Sequence, residues 1–198
     1  MPDIPAVILA GGTSERFGGP KGLAVLGGKP LIQHVIDRLG AQTAGPLAIN
    51  CSAHGPYDRG DLTVLPDRMA GGLGPLAGIH AALVWAEEEG GGHVLTAPVD
   101  TPFLPLDLLQ RLYHGGGPAI AASKGRTHGV CGLWPTSCLP HLEQQLGAAD
   151  RSVQAWITCC KARIVEFSAD PIDPFFNINR PDDMVKGSQY LSQMGLGA

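Results

Sequence analysis

The chain has 198 residues, enough for one domain with a sizeable core, and 44% hydrophobic against 16% charged residues excludes a disordered chain. A net charge of -4 without a dense Lys/Arg cluster excludes an ordinary nucleic-acid binder, yet a few placed cations and backbone N–H groups suffice for an anionic small ligand. No apolar run reaches membrane-spanning length, the amino terminus lacks the basic stretch of a signal peptide, and five cysteines without a C-x-x-C pair argue against a disulfide framework or structural zinc, so a reducing cytoplasm is expected.

Short apolar runs alternate with longer helical patterns. Residues 5–10 (PAVILA) predict a buried strand. Residues 29–39 predict a helix opened by proline, because Leu31, Val35 and Leu39 fall on one face. Residues 46–51 and 62–67 read as strands, and 75–89 as a helix with Pro75 near its first turn. Residues 93–100 read as a strand that ends at the carboxylate of Asp100, followed by a helix over 104–114. Strands over 118–123 and 129–134, helices over 137–146 and 152–160, a strand over 162–168 and a helix from about Pro181 complete the order. This alternation implies βαβ units. The expected fold is a three-layer αβα, Rossmann-like single domain over 1–198, with a mostly parallel central sheet covered on both faces.

In such open sheets ligands bind beyond the carboxyl ends of the strands. Gly11, Gly12, Asn50, Asp67 and Asp100 fall at or just past predicted strand ends, so they are expected to face one crevice. The first strand runs into "GGTSERFGGPKG", where Arg16 and Lys21 flank glycines. A Walker A loop requires G-x-x-x-x-G-K-[ST], and a dinucleotide fingerprint requires G-x-G-x-x-G. This loop supplies neither.

The stretch resembles the L-A-G-G-x-x-x-R-x-G-x-x-K signature of sugar-nucleotide and cofactor nucleotidyltransferases. "GGLGPLAGIHAAL", "APVDTPFLP", "GLW" and "FFNINRPDDM" follow in order, and together they resemble the molybdenum cofactor guanylyltransferase (MobA) family over nearly the whole chain. Leu9–Ala10–Gly11–Gly12 with the G-P-L-A-G of 74–78 looks like the guanylyl branch; the cytidylyl branch typically reads L-A-A-G. Two departures stand out. Pro20 replaces an acidic residue before the lysine, and Glu15–Arg16–Phe17 stands where R-R-M is usual.

The resemblance implies transfer of GMP from GTP to the terminal phosphate of molybdopterin, with release of pyrophosphate. The amino-terminal half would bind nucleotide and the carboxyl-terminal half molybdopterin. Such an acceptor has its second pKa at about 6, so it is largely deprotonated near neutrality and needs no general base. Catalysis then reduces to alignment and charge neutralisation. Lys21, Arg16 and Asp100 are the expected catalytic groups, with Arg16 on the outer phosphates and Asp100 as the ligand of Mg²⁺. Leu9, Ala10, Gly11 and Gly12 would contact the nucleotide, and Asn50 and Asp67 would complete its pocket. Asn177 and Asn179 would touch the second substrate. Simpler readings stay open: Asp67 and Asp100 as caps, the two asparagines as caps of the last helix, His128 as a surface histidine rather than a pterin contact. Transient contacts with molybdenum-insertion proteins and recipient molybdoenzymes are implied, but no nucleic acid or membrane. The competing functions are a cytidylyl- or sugar-phosphate nucleotidyltransferase on the same scaffold, and an inactive GTP-binding carrier.

Overall fold

In a computed structural model of the chain, the structure describes residues 2–11, 19–52, 55–57, 62–69 and 73–195. Gly12 and Arg16 lie outside the described residues.

The most apolar short run becomes the innermost strand. β1 (Ala6–Leu9) lies between β4 (Leu47–Asn50) and β6 (His93–Pro98), parallel to both. A strand covered on both faces can carry an unbroken apolar run, and Ala6, Val7 and Ile8 are fully buried. β5 (Thr63–Leu65) adds to β4, again in parallel. Beyond β6 come β8 (Arg126–Pro135), β7 (Ala119–Ser123) and β9 (Arg163–Glu166), giving the order β5-β4-β1-β6-β8-β7-β9. Only β8 runs antiparallel among the described strands of this sheet.

One face is covered by α1 (Leu31–Gly40) and α3 (Leu108–Tyr113), through Ile32, Val35 and Leu39 and through Leu108, Leu109 and Leu112. The other carries α2 (Pro75–Glu88), α4 (Leu139–Leu146) and α5 (Val153–Cys159), packed around Trp134 and Trp156. α2 is apolar nearly all round, which suits a helix enclosed on several sides. A smaller cluster of Leu26, Leu31, Phe103, Ile178 and Leu191 seats α6 (Pro181–Gln193) against a hairpin of β2 (Val25–Leu26) and β3 (Lys29–Pro30). This is the expected αβα arrangement.

Several boundaries differ from the sequence reading. Pro30 does not open α1 from inside; it closes β3, pairing with Val25, and α1 begins at Leu31. α3 starts only at Leu108, because Pro102 and Pro105 hold the preceding segment in turns. β8 starts earlier than Gly129. The two-residue turn Lys124–Gly125, with φ of 50° and 68°, folds β7 straight back into an antiparallel hairpin within a sheet that is otherwise parallel among its described strands. Residues 129–131 of β8 have no partner on β7, an irregularity that the glycines at 129 and 132 concealed. β6 stops at Pro98, so Asp100 stands just beyond the strand rather than in it.

Candidate active site

The carboxyl ends of β1, β4, β5 and β6 open into a cavity of about 500 Å³. Leu9, Gly11, Asn50, Asp67, Gly78 and Asp100 line it, so the strand-end residues do share one crevice. Val130 of β8 closes its far side.

Asn50 ends β4 and is 3% exposed. Its Nδ2 donates to Leu65 O and to Asp67 Oδ1, both at 2.9 Å. One amide proton thus anchors Asn50 to β5 and the other orients Asp67, which is not a helix cap but an exposed carboxylate held at the cavity rim. The next residue braces the same turn: the Arg68 guanidinium forks onto Glu88 at the end of α2, with both N–O distances 2.6 Å. The sheet engages two groups assigned to the nucleotide by resemblance: Ala10 N donates to Asn50 O, and Leu9 O accepts from Val99 N. Leu9 nonetheless lines the cavity.

α2 points its amino end at the cavity. Gly74 precedes it with φ 62° and ψ -152°, a conformation open to glycine alone. Residues 75–78 form the first turn of α2, as the sequence pattern implied; Pro75 has no N–H and Ala77 N donates to Gly74 O at 3.1 Å, which leaves Leu76 N outside the helix ladder. At Gly78 a Cβ would come within 2.5 Å of Asn50 Oδ1, so the helix can approach β4 this closely only through glycine.

Lys21 enters from the opposite side. It starts a 3₁₀ turn, Lys21–Leu23, which Pro20 precedes at φ -60°. Tyr57, 4% exposed, accepts a 2.9 Å hydrogen bond from Gly22 N and fixes that turn from below. Burial pushes the Tyr57 phenol up, so it remains protonated. Lys21 Nζ donates to Asp100 Oδ2 and to Asn179 Oδ1, each at 2.7 Å. Both ends of the Lys21–Asp100 ion pair are mostly covered, with side chains 14% and 16% exposed. One ammonium thus joins the crevice to the segment ahead of α6. Asn179 is not the cap of α6; Asp183 Oδ2 takes that role, accepting from Asn179 N and Arg180 N. Asn177 is exposed on the same segment.

The donor set suits a hard divalent cation brought in with phosphates. Asp100 Oδ1 is buried and has no hydrogen-bond partner, while its Oδ2 is held by Lys21. Among the described residues no group of three or more His, Cys, Asp or Glu could hold a metal by itself. Mg²⁺ needs only one or two carboxylates when phosphate oxygens and water complete its shell.

Sequence reasoning missed Tyr57 and a second polar cluster of Ser123, His128 and Asp173. Ser123 Oγ donates to Asp173 Oδ1 at 2.9 Å and lies 2.8 Å from His128 Nε2. His128 is no loose surface residue: its ring stacks on Phe175 at 4.5 Å. Burial pulls the His128 pKa below its ordinary value; Asp173 and Glu166 push it up and Arg126 down. The signal that was available is the Asp173–Pro174 pair, a common start for a side-chain-closed turn.

The arrangement of strand-end carboxylates, a glycine-led helix and one bridging ammonium is chemically suited to a phosphate ligand that brings its own cation. The family model of the MobA-like NTP transferase domain matches residues 6–164. The chain belongs to that family. MobA-like members with curated names align over most of its length. It is 44% identical to the molybdenum cofactor guanylyltransferase of Rhizobium meliloti (strain 1021), covering 94% of this chain and 91% of that one. It is 42% identical to the enzyme of the same name from Acidiphilium cryptum (strain JF-5), covering 91% and 92%. Among solved structures, molybdopterin-guanine dinucleotide biosynthesis protein A from Archaeoglobus fulgidus superposes with a TM-score of 0.71 at 23% identity, covering 96% of this chain and all of that one. The 2-C-methyl-D-erythritol 4-phosphate cytidylyltransferase of Thermus thermophilus superposes at 0.65 and 15% identity, covering 94% and 98%. At those identities the likeness is one of fold, and the MobA-like scaffold does not by itself choose the base.

Proposed function

We propose that the chain transfers the GMP unit of GTP to the terminal phosphate of molybdopterin. An acceptor phosphate oxygen attacks the α-phosphorus, the bond from the α-phosphorus to the bridging oxygen breaks, and pyrophosphate leaves with that electron pair. The product is the guanine dinucleotide of the cofactor. The observation that carries this reading is the 44% identity over nearly the full length to an enzyme of that name. The crevice supports it. Asp67 is an acceptor suited to the N1 and N2 edge of guanine, and Asn50 keeps it aimed. The first turn of α2 offers the backbone donor of Leu76.

In this reading Leu9, Ala10, Gly11 and Gly12 border the nucleotide, Arg16 grips the outer phosphates, and Asn177 and Asn179 meet the acceptor. Lys21 stands at the junction of the two substrates, where charge develops on the α-phosphate. Asp100 would hold Mg²⁺ through its buried Oδ1, and the ion would supply charge neutralisation along the triphosphate. The amino-terminal half of the sheet serves the nucleotide and the carboxyl-terminal half the acceptor. Cytoplasmic work and passing contacts with molybdenum-insertion proteins and recipient enzymes belong to the same reading; no helix among the described residues is long and apolar enough to cross a membrane.

The test is to incubate the purified chain with molybdopterin, Mg²⁺ and each of the four NTPs. GTP alone should yield the dinucleotide with matching pyrophosphate, since a site built to pair one base edge rejects another by up to 10⁴–10⁵. Comparable turnover with CTP would overturn the guanylyl assignment. GTP binding without pyrophosphate release would point to an inactive carrier.

A further inference from the structure

The segment between β9 and α6 crosses the carboxyl edge of the sheet and carries both Asn177 and Asn179. It is fastened at two places. At its downstream end, the fully buried Ile178 donates from N to Asp100 O at 2.9 Å, and Asn179 accepts from Lys21. At its upstream end, Asp173 Oδ1 accepts from Ser123 Oγ at 2.9 Å and from Phe175 N at 3.1 Å. Lys124 Nζ stands 3.9 Å from the other oxygen. Phe175, 3% exposed, lies between His128, stacked on it, and Phe167, edge-on at 5.3 Å.

Proton accounting tells what the cluster does. An ionised carboxylate only accepts, so the Ser123 proton goes to Asp173. Ser123 Oγ can then only accept from His128, whose Nε2 must carry a proton. A nucleophilic triad requires the reverse, a histidine lone pair facing the hydroxyl. Ser123 is also 1% exposed, out of reach of a substrate. The cluster is therefore a brace and not a catalytic constellation.

We propose that Ser123, His128 and Asp173 are positioning residues for the phosphate acceptor. They pin the start of the 173–179 segment so that its far end presents Asn177 and Asn179 beside Lys21 and Asp100. This rests on the reading of those asparagines as acceptor contacts. Its consequence is selective: loosening the brace weakens use of the acceptor far more than it disturbs the nucleotide crevice, which meets the braced elements through Val130 and the Lys21 and Asp100 contacts.

The experiment compares Asp173→Ala, Asp173→Asn, Asn179→Ala and the Asp173→Ala/Asn179→Ala double variant. The readouts are KM for molybdopterin, GTP affinity by titration without acceptor, and the thermal midpoint. Asp173→Ala should raise the acceptor KM roughly 10- to 100-fold, the scale of a small misplacement, with GTP affinity changed far less. Asp173→Asn keeps an acceptor oxygen and should recover most of that loss. If Asp173 acts through Asn179, the double variant should be no worse than Asn179→Ala alone. Should Asp173→Ala fail to fold, Ser123→Ala carries the same comparison. An unchanged acceptor KM in Asp173→Ala, with a raised one in Asn179→Ala, overturns the brace and leaves the acceptor reading standing. Losses that simply multiply in the double variant overturn it too. An unchanged acceptor KM in Asn179→Ala overturns the acceptor role of that residue, and the brace with it.

Discussion

Lys21 is where the two halves of the site meet, because its ammonium contacts Asp100 and Asn179 at once. Attack at the α-phosphate concentrates negative charge there, so an ammonium at that point is worth more in the transition state than in bound GTP. Lys21→Ala is expected to lower kcat by roughly 10²–10³ and to weaken GTP binding less. Titration against saturated turnover separates the two, and loss of affinity alone would reduce Lys21 to a clamp. Gly78 gives a steric prediction. A methyl group at this position would press on Asn50 Oδ1 and on Leu9, at a cost of about 1–3 kcal/mol. Gly78→Ala should therefore weaken GTP affinity by roughly 5- to 150-fold, measured by titration, through the misdirected Asp67. Much of this site was legible in the residues. Strand-end carboxylates and amides could be placed by the pattern of strands alone. What could not be read was which polar group pairs with which: that Asn50 divides its donors between Leu65 and Asp67, or that Tyr57 supports the lysine turn, depends on contacts between distant elements.

At the scale of elements, the β7–β8 hairpin matters most. Sequence pattern found β7 but shortened β8, since Arg126, Thr127 and His128 lack the apolar run that marks a buried strand. Pro30 misled for a related reason: a proline ahead of an apolar stripe looks the same whether it begins a helix or closes a short strand. The hairpin carries a titration prediction. His128 has a folded pKa lowered first by burial, and the surrounding charges of Asp173, Glu166 and Arg126 only partly offset one another. The unfolded chain then binds more protons than the folded one below the ordinary histidine value of about 6.5. The contribution of His128 is fully present above that value and is lost as pH falls through the folded pKa. Thermal midpoints taken from pH 7.5 down to 5 should fall more steeply in the native chain than in His128→Gln, which removes the titration. Parallel curves would assign the acid loss to other groups.

For the whole molecule, the alternation of strand and helix patterns was enough for the three-layer fold, because each βαβ unit can close in only one hand. The strand order at the far edge was not, since it depends on a two-residue turn. Ligand linkage gives the global test of the crevice. A ligand that binds only the folded chain stabilises it by about 2.7 kcal/mol at a hundredfold excess over Kd. For a chain of this size that is a rise of roughly 5–10 °C in Tm. GTP with Mg²⁺ should produce such a shift, and Asp100→Ala should lose the part that depends on the metal. An undiminished magnesium increment in that variant would remove Asp100 from the proposed ion site. The place of β1 has a consequence for synthesis. Ala6 pairs with Leu47 and Leu95, so β1 leaves the ribosome before either neighbour and must wait for β6 to gain its second. In that interval an unpartnered run of Ala6, Val7, Ile8 and Leu9 is an extended apolar segment of the kind chaperones hold. Lys21 waits longer still, since Asn179 is made 158 residues after it. A nascent chain therefore lacks the Lys21–Asn179 join until residue 179 has been made, and in the proposed reading it cannot engage its second substrate before then.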